Sequence, residues 1–142
     1  MLTKLDVFET EVEARGPIRA ELSEKLLAAE VKRIPKLGPG NTSVNAQYTI
    51  EVNNRAAVQA TLKEQSIPTA VHYPILLCQQ PALTNRGSCT RCCQLNCDCP
   101  VAQAASERVL SLPMHPYLNS DERHKIVAAV AEAVASANLQ SL

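Results

Sequence analysis

The hydrophobic positions in the first thirty residues follow the spacing of a helix. Among Glu, Lys and Arg, the apolar side chains fall at Phe8, Val12, Ile18, Leu22 and Leu26. Intervals of mostly four residues place such side chains along one side of a helix. The dipeptide Gly16-Pro17 interrupts the pattern, because a proline inside a helix costs about 3 kcal/mol. The pattern predicts two helices or one kinked helix, with the break near residue 16.

The middle of the chain alternates between apolar and polar residues. Within residues 46–52 the apolar positions are Tyr48, Ile50 and Val52. This alternation is typical of a half-buried strand. Residues 68–73, "PTAVHY", predict a second strand, and Pro74 limits its continuation. Between the two, Asn53 and Asn54 precede "RAAVQATLKEQ", a predicted helix that an asparagine side chain can cap.

The last third of the chain returns to helical spacing. Residues 101–109 predict a helix that runs into a short apolar strand, "LSLPM". Asn119, followed three residues later by Glu122, marks the start of a final helix. The apolar residues of that helix are Ile126, Val130 and Val134, with Val127 beside them. They form one buried stripe along the helix.

Helices and short strands mixed in this order predict an α/β fold of α+β-like character. We expect a small open sheet of about three short strands, covered by helices. A chain of 142 residues is long enough for one domain with its own core. We therefore expect a single domain over residues 1–142, with a connecting helix or helix pair at 1–32. The core then covers 44–142 and includes a cysteine-rich loop at 84–99.

Charge and composition exclude some partners. The chain has 14 basic and 14 acidic residues, one Phe, three Tyr and no Trp. It offers neither the positive charge nor the stacking surfaces that nucleic acids require. No apolar run approaches the roughly 20 residues of a membrane span, and the charged N-terminus does not resemble a signal peptide. We expect a cytoplasmic protein whose six cysteines are reduced or bound to metal.

Five of the cysteines lie in "CTRCCQLNCDC". Four of them supply the thiolates that a structural zinc ion uses, namely Cys89, Cys92, Cys93 and Cys97. However, zinc sites usually separate their two cysteine pairs by about 12–20 residues, and here all four ligands fall within a dozen. A zinc site and a loop of reduced cysteines are both open interpretations.

His72 and Tyr73 form the other candidate site. They stand directly before Pro74, where the chain leaves the predicted strand. Residues that bind ligands tend to lie at such positions. No base or metal ligand stands near His72 in the sequence, so the residues alone favour a structural role over ligand binding.

Two long runs resemble a known family, the pyridoxal-phosphate-dependent sugar-nucleotide aminotransferases of the DegT type. The first is "YTIEVNNRAAVQATLKEQSIPTAVHYPILLCQQPA", and the second is "CPVAQAASERVLSLPMHPYLNSDERHKIV", residues 99–127. The segment "KLDVFETEVEAR" resembles the helix that leads into the family's small domain. The resemblance is to the C-terminal part of the family, and it covers the chain except for the insert at about 84–98.

The resemblance implies the small domain of a fold-type I aminotransferase. In the family, the large domain supplies the lysine that forms a Schiff base with pyridoxal phosphate. No lysine here stands in such a motif, so we expect no cofactor on this chain alone and no transamination by it. A complete enzyme would bind pyridoxal phosphate and a nucleotide-linked keto sugar.

The same resemblance assigns roles to individual residues. It implies that His72 and Tyr73 contact the substrate, at a homodimer interface or beside a large domain. The family usually has glycine where Ser66 stands, and serine adopts the left-handed conformation less readily. The alternatives are a stand-alone interaction or zinc-binding module, and a non-functional remnant.

Overall fold

The fold alternates helices with two short strands. The structure, a computed structural model, describes residues 2–31, 33–81 and 99–139. Its elements are α1 (Leu2–Leu5), α2 (Phe8–Ala28), β1 (Tyr48–Glu51), α3 (Arg55–Glu64), a 3₁₀ turn (Leu77–Gln79), α4 (Pro100–Arg108), β2 (Val109–Leu112) and α5 (Ser120–Leu139). The predicted α/β class, with helices around a small sheet, is confirmed.

The sheet is antiparallel, and its two faces differ. Tyr48 pairs with Leu112 and Ile50 pairs with Leu110, and all four side chains are buried. They join α2, α3 and α5 in one hydrophobic core, and α5 packs against both α2 and α3. Because side chains alternate along a strand, Thr49 and its partner Ser111 lie on the opposite face.

The expected third strand is reduced to a single bridge. Within residues 68–73, Ala70 alone pairs with β2, and it does so opposite Ser111. Hydrogen-bonded pairs recur at every second residue of an antiparallel ladder. Extending this register places Pro68 opposite Pro113. Neither proline has an N–H to donate, so the ladder stops there.

Of the two alternatives for the region near residue 16, the division into two helices is wrong. The helix α2 continues through Pro17, and the chain turns earlier, at residues 6 and 7, between α1 and α2. Proline deprives the carbonyl of Glu13 of its helical partner. Both Pro17 and Glu13 are exposed, so water can replace the missing donor.

Two helices end in the same motif. At the end of α3, the amide of Ile67 donates to the carbonyl of Leu62 at 2.9 Å and the amide of Ser66 donates to that of Lys63 at 3.0 Å. Ser66 has a φ of 60°, the left-handed conformation that glycine adopts most easily. The end of α2 repeats the pattern with Glu30 at a φ of 57°. Ser66 therefore occupies a position that favours glycine.

The start of α5 follows the prediction closely. The side chain of Asn119 accepts from the amide of Glu122 at 2.9 Å, and the carboxylate of Glu122 accepts from the amide of Asn119 at 2.9 Å. This reciprocal pair is a capping box. At α3, by contrast, Asn54 stands at the cap position without a side-chain hydrogen bond to the helix.

Candidate functional site

A groove lies beside the sheet, where the chain passes from Ala70 towards His72. Its volume is about 400 Å³. The wall residues that can donate or accept a hydrogen bond through their side chains are Gln47, Thr69, His72 and Ser111. The remaining wall is small or apolar and includes Pro68 and Pro113. The groove is therefore lined by uncharged residues and one histidine.

Ser111 fixes the chain segment that leads to His72. Its amide donates to the carbonyl of Ala70 at 2.8 Å, and its carbonyl accepts from the amide of Ala70 at 3.1 Å. Its hydroxyl oxygen lies 2.8 Å from that of Thr49 on the neighbouring strand. Ser111 is thus joined both to the sheet and to the segment that carries the candidate site.

His72 and Tyr73 have different surroundings. His72 is exposed and lines the groove, whereas Tyr73 is 73% exposed and lies outside the groove wall. Their rings meet edge to face, with centroids 5.6 Å apart, across a cis peptide bond. Neither side chain belongs to the core. Their role as substrate contacts stays a prediction.

Three further pockets each contain a carboxylate. One of about 270 Å³ is lined by His115, Lys125 and Glu122 over an apolar floor. Another, of about 330 Å³, lies beside α4, where Glu51 bridges Arg33 at 3.6 Å and Arg108 at 3.2 Å.

The third, of about 230 Å³, is lined by Glu9 and Glu13 of α2 together with apolar side chains. In this third pocket the carboxylates would repel an anion, whereas in the other two the carboxylate is accompanied by basic side chains, Lys125 in the first and Arg33 and Arg108 in the second. The groove at His72 differs, because no Asp or Glu lines it.

The proposed zinc ligands lie outside the described residues. Cys89, Cys92, Cys93 and Cys97 all fall within 82–98, so the zinc hypothesis stays a prediction. Cys99, at the start of the next described segment, is exposed. In residues 2–31, 33–81 and 99–139, no group of three or more His, Cys, Asp or Glu side chains is placed to hold a metal ion. Within the same ranges, no helix has the length and apolar character needed to cross a membrane.

Sequence reasoning missed Thr69, Gln47 and Ser111 as groove residues. A signal for Ser111 was present in "LSLPM", where a hydroxyl interrupts an apolar strand between Leu110 and Leu112. That position must face away from the core. Gln47 and Thr69 carry no comparable signal, because they lie outside the two strands.

The architecture is that of aminotransferases. A DegT DnrJ EryC1 StrS aminotransferase from Brucella abortus matches it with a TM-score of 0.79 at 34% identity. The match covers 94% of this chain and 34% of that chain. The aminotransferase TlmJ from Streptoalloteichus hindustanus has a TM-score of 0.80 at 23% identity, over 96% of this chain and 35% of that chain, which shows the shared fold.

The chain belongs to the DegT/DnrJ/EryC1/StrS aminotransferase family, whose model matches residues 1–131. The UDP-2-acetamido-2-deoxy-3-oxo-D-glucuronate aminotransferase of Pseudomonas aeruginosa is 40% identical over 130 residues, which are 92% of this chain and 33% of that protein. The UDP-N-acetyl-3-dehydro-alpha-D-glucosamine 3-aminotransferase of Acidithiobacillus ferrooxidans is 33% identical over 108 residues, 76% of this chain and 27% of that protein. The chain thus spans about a third of the length of these relatives.

The family uses pyridoxal phosphate, whose Schiff base needs a lysine amine inside a site that also holds the phosphate. The described lysine side chains are Lys4, Lys25, Lys36, Lys63 and Lys125. Lys25 is paired with Glu21 at 2.7 Å, and the other four are exposed. Lys125 lines a pocket, but that pocket contains the carboxylate of Glu122, which opposes a phosphate. The described residues therefore do not fit the cofactor.

Proposed function

We propose that this chain forms the substrate-binding small domain of a sugar-nucleotide aminotransferase, with His72 and Tyr73 as its contacts to a nucleotide-linked keto sugar. One observation carries the proposal: His72 lines a groove without carboxylates, in a family whose matched relatives are named for UDP-linked sugars. An imidazole and a phenol both donate hydrogen bonds to phosphate oxygens.

The chain alone is catalytically incomplete in this proposal. Transfer of an amino group would need a Schiff-base lysine and a cofactor site, and the described lysines do not provide them. A large domain or a second polypeptide would supply both, and the complete enzyme would act in the cytoplasm. The chain mixed with pyridoxal phosphate should therefore show no absorbance band of a lysine aldimine.

The nucleotide test uses residues of the same type as controls. The chain is titrated with UDP and with dTDP while its histidine and tyrosine ring resonances are followed by NMR. We expect weak, saturable shifts at His72 and Tyr73. The substitution His72→Ala should abolish binding, whereas His124→Ala, at an exposed histidine on α5, should preserve it.

Tyr73→Phe and Tyr117→Phe form a second matched pair, since these two tyrosines are similarly exposed, at 73% and 70%. We expect only the first substitution to weaken binding. If the two substitutions within each pair weaken nucleotide binding equally, the proposed function is contradicted. The absence of resonance shifts with either nucleotide would contradict it as well.

Dimerisation forms part of the same proposal. Several large apolar side chains are exposed, among them Leu5, Val7 and Phe8 at the start of the chain. Exposed apolar patches commonly mark surfaces of association. We expect the chain to self-associate in sedimentation experiments and Phe8→Ser to shift the equilibrium towards monomer. A monodisperse monomer at high concentration would contradict this part.

A further inference from the structure

Ser111 is a buried polar residue in the wall of the His72 groove. It is only 6% exposed, and in the described part of the chain the other buried polar residue is Ser106. The hydroxyl of Ser106 donates to the carbonyl of Gln103 at 2.8 Å, so its proton is fully used. The hydroxyl of Ser111 instead meets a second hydroxyl, that of Thr49.

A pair of hydroxyls has two protons, but the bond between them uses only one. If Ser111 donates to Thr49, the proton left over belongs to Thr49, which is half-buried and can reach water. If Thr49 donates to Ser111, the proton of Ser111 is free to point into the groove. Rotation of two hydroxyls converts one arrangement into the other without moving the backbone.

An anion in the groove would favour the arrangement in which Thr49 donates to Ser111, because the proton of Ser111 is then available to the anion. The groove wall contains two further donors, His72 and the side-chain amide of Gln47, and it contains no carboxylate. The backbone amide of Ser111 is already occupied by Ala70. The hydroxyl is therefore the donor that Ser111 can offer to a ligand.

We propose that Ser111 is a second phosphate-binding residue of this groove, with its hydroxyl donating to a nucleoside diphosphate while Thr49 donates to Ser111. This inference rests on the proposed function, because it assigns Ser111 to the same ligand as His72. Hydrogen bonds to charged acceptors are stronger than those between neutral groups. Loss of this bond should weaken binding of the diphosphate about tenfold.

The test compares Ser111→Ala with Ser106→Ala, since each removes the hydroxyl of a buried serine and, of the two, Ser111 alone lines the groove. UDP and uridine are titrated into both variants and the unsubstituted chain, with thermal melting as the check on folding. We expect Ser111→Ala to weaken UDP about tenfold and to leave uridine unchanged, because uridine has no phosphate. Ser106→Ala should bind UDP as the unsubstituted chain does, and Ser111→Thr should retain binding.

The outcomes separate this inference from the proposed function. Equal weakening by Ser111→Ala and Ser106→Ala, or equal weakening for UDP and uridine, would mean a structural role and would overturn the inference. Binding that needs His72 but tolerates Ser111→Ala would overturn the inference alone. No UDP binding by the unsubstituted chain would overturn the proposed function and this inference together.

Discussion

The guanidinium of Arg123 donates to the carboxylate of Glu21 at 2.6 Å, joining the first turns of α5 to the middle of α2. Lys25 donates to the other carboxylate oxygen at 2.7 Å, and a second nitrogen of Arg123 donates to the carbonyl of Leu118. The hydrogen bond from Lys25 lowers the pKa of Glu21 below its usual 4.5, with burial opposing it and Arg123 adding to it. One carboxylate thus links two helices that are distant in the sequence.

Replacing Glu21 by Gln should lower the melting temperature at pH 7 by about 1–3 °C, since partly exposed ion pairs contribute below about 1 kcal/mol. Because the pKa is lowered in the folded state, the stabilisation is present above the usual carboxyl pKa and is lost as pH falls through the lowered value. The difference between Glu21→Gln and the unsubstituted chain should therefore shrink in acid. Glu24→Gln, on the same helix with an exposed side chain, is the control and should change little at any pH.

Ser66→Gly should stabilise the chain. A non-glycine residue in the left-handed conformation costs about 1–2 kcal/mol, and glycine removes most of that cost while losing some entropy on folding. We expect a gain of about 1 kcal/mol in the free energy of unfolding, measured by urea denaturation. Ser66→Ala retains the strain and should give no gain. A loss of stability in Ser66→Gly would contradict the account of this helix end.

Asn119→Ala should destabilise α5 by about 1 kcal/mol, because the amide of Glu122 loses its side-chain acceptor. Asn119→Asp keeps that acceptor and should retain most of the stability. Denaturant unfolding of both variants measures the difference. Similar losses in the two would show that the capping hydrogen bond is not the cause.

Tyr48→Phe tests a hydroxyl inside the core. The hydroxyl oxygens of Tyr48 and Ser23 lie 2.9 Å apart, and losing such a bond costs about 1 kcal/mol. Burial raises the pKa of Tyr48 above 10.0, so its contribution is complete below pH 10 and is lost as pH rises through the raised value. Melting curves of Tyr48→Phe should therefore depend less on alkaline pH than those of the unsubstituted chain. Tyr117→Phe removes an exposed phenol and should cost less.

The sequence patterns predict the core well, because side chains that face the core recur at the period of the helix or strand that carries them. Tyr48 and Ile50 on β1, and Ile126 and Val130 on α5, are buried as their spacing required. The missing third strand depended on the register that Ala70 takes against Ser111, a tertiary pairing that no local pattern contains. The continuous α2 depended on the exposure of Pro17, which is likewise set by the assembled fold.

The candidate site was predicted only in part. Their position before a proline and the family resemblance both indicate His72 and Tyr73 as candidates. Ser111 belongs to the same groove through a pairing across 41 positions of the chain, from Ala70 to Ser111. Register between distant segments cannot be derived from the periodicity of either one.

The single bridge at Ala70 has a consequence for solubility. An unpaired strand edge invites another chain to add a strand, which is a common start of aggregation. The segment around Ala70 lies at the outer edge of this sheet, and the amide and carbonyl of Ala70 both point inwards to Ser111. Because the segment pairs with β2 only at this residue, the edge is short, and a short edge gives an incoming strand few hydrogen-bonding partners. The short pairing thus protects this edge against edge-to-edge aggregation.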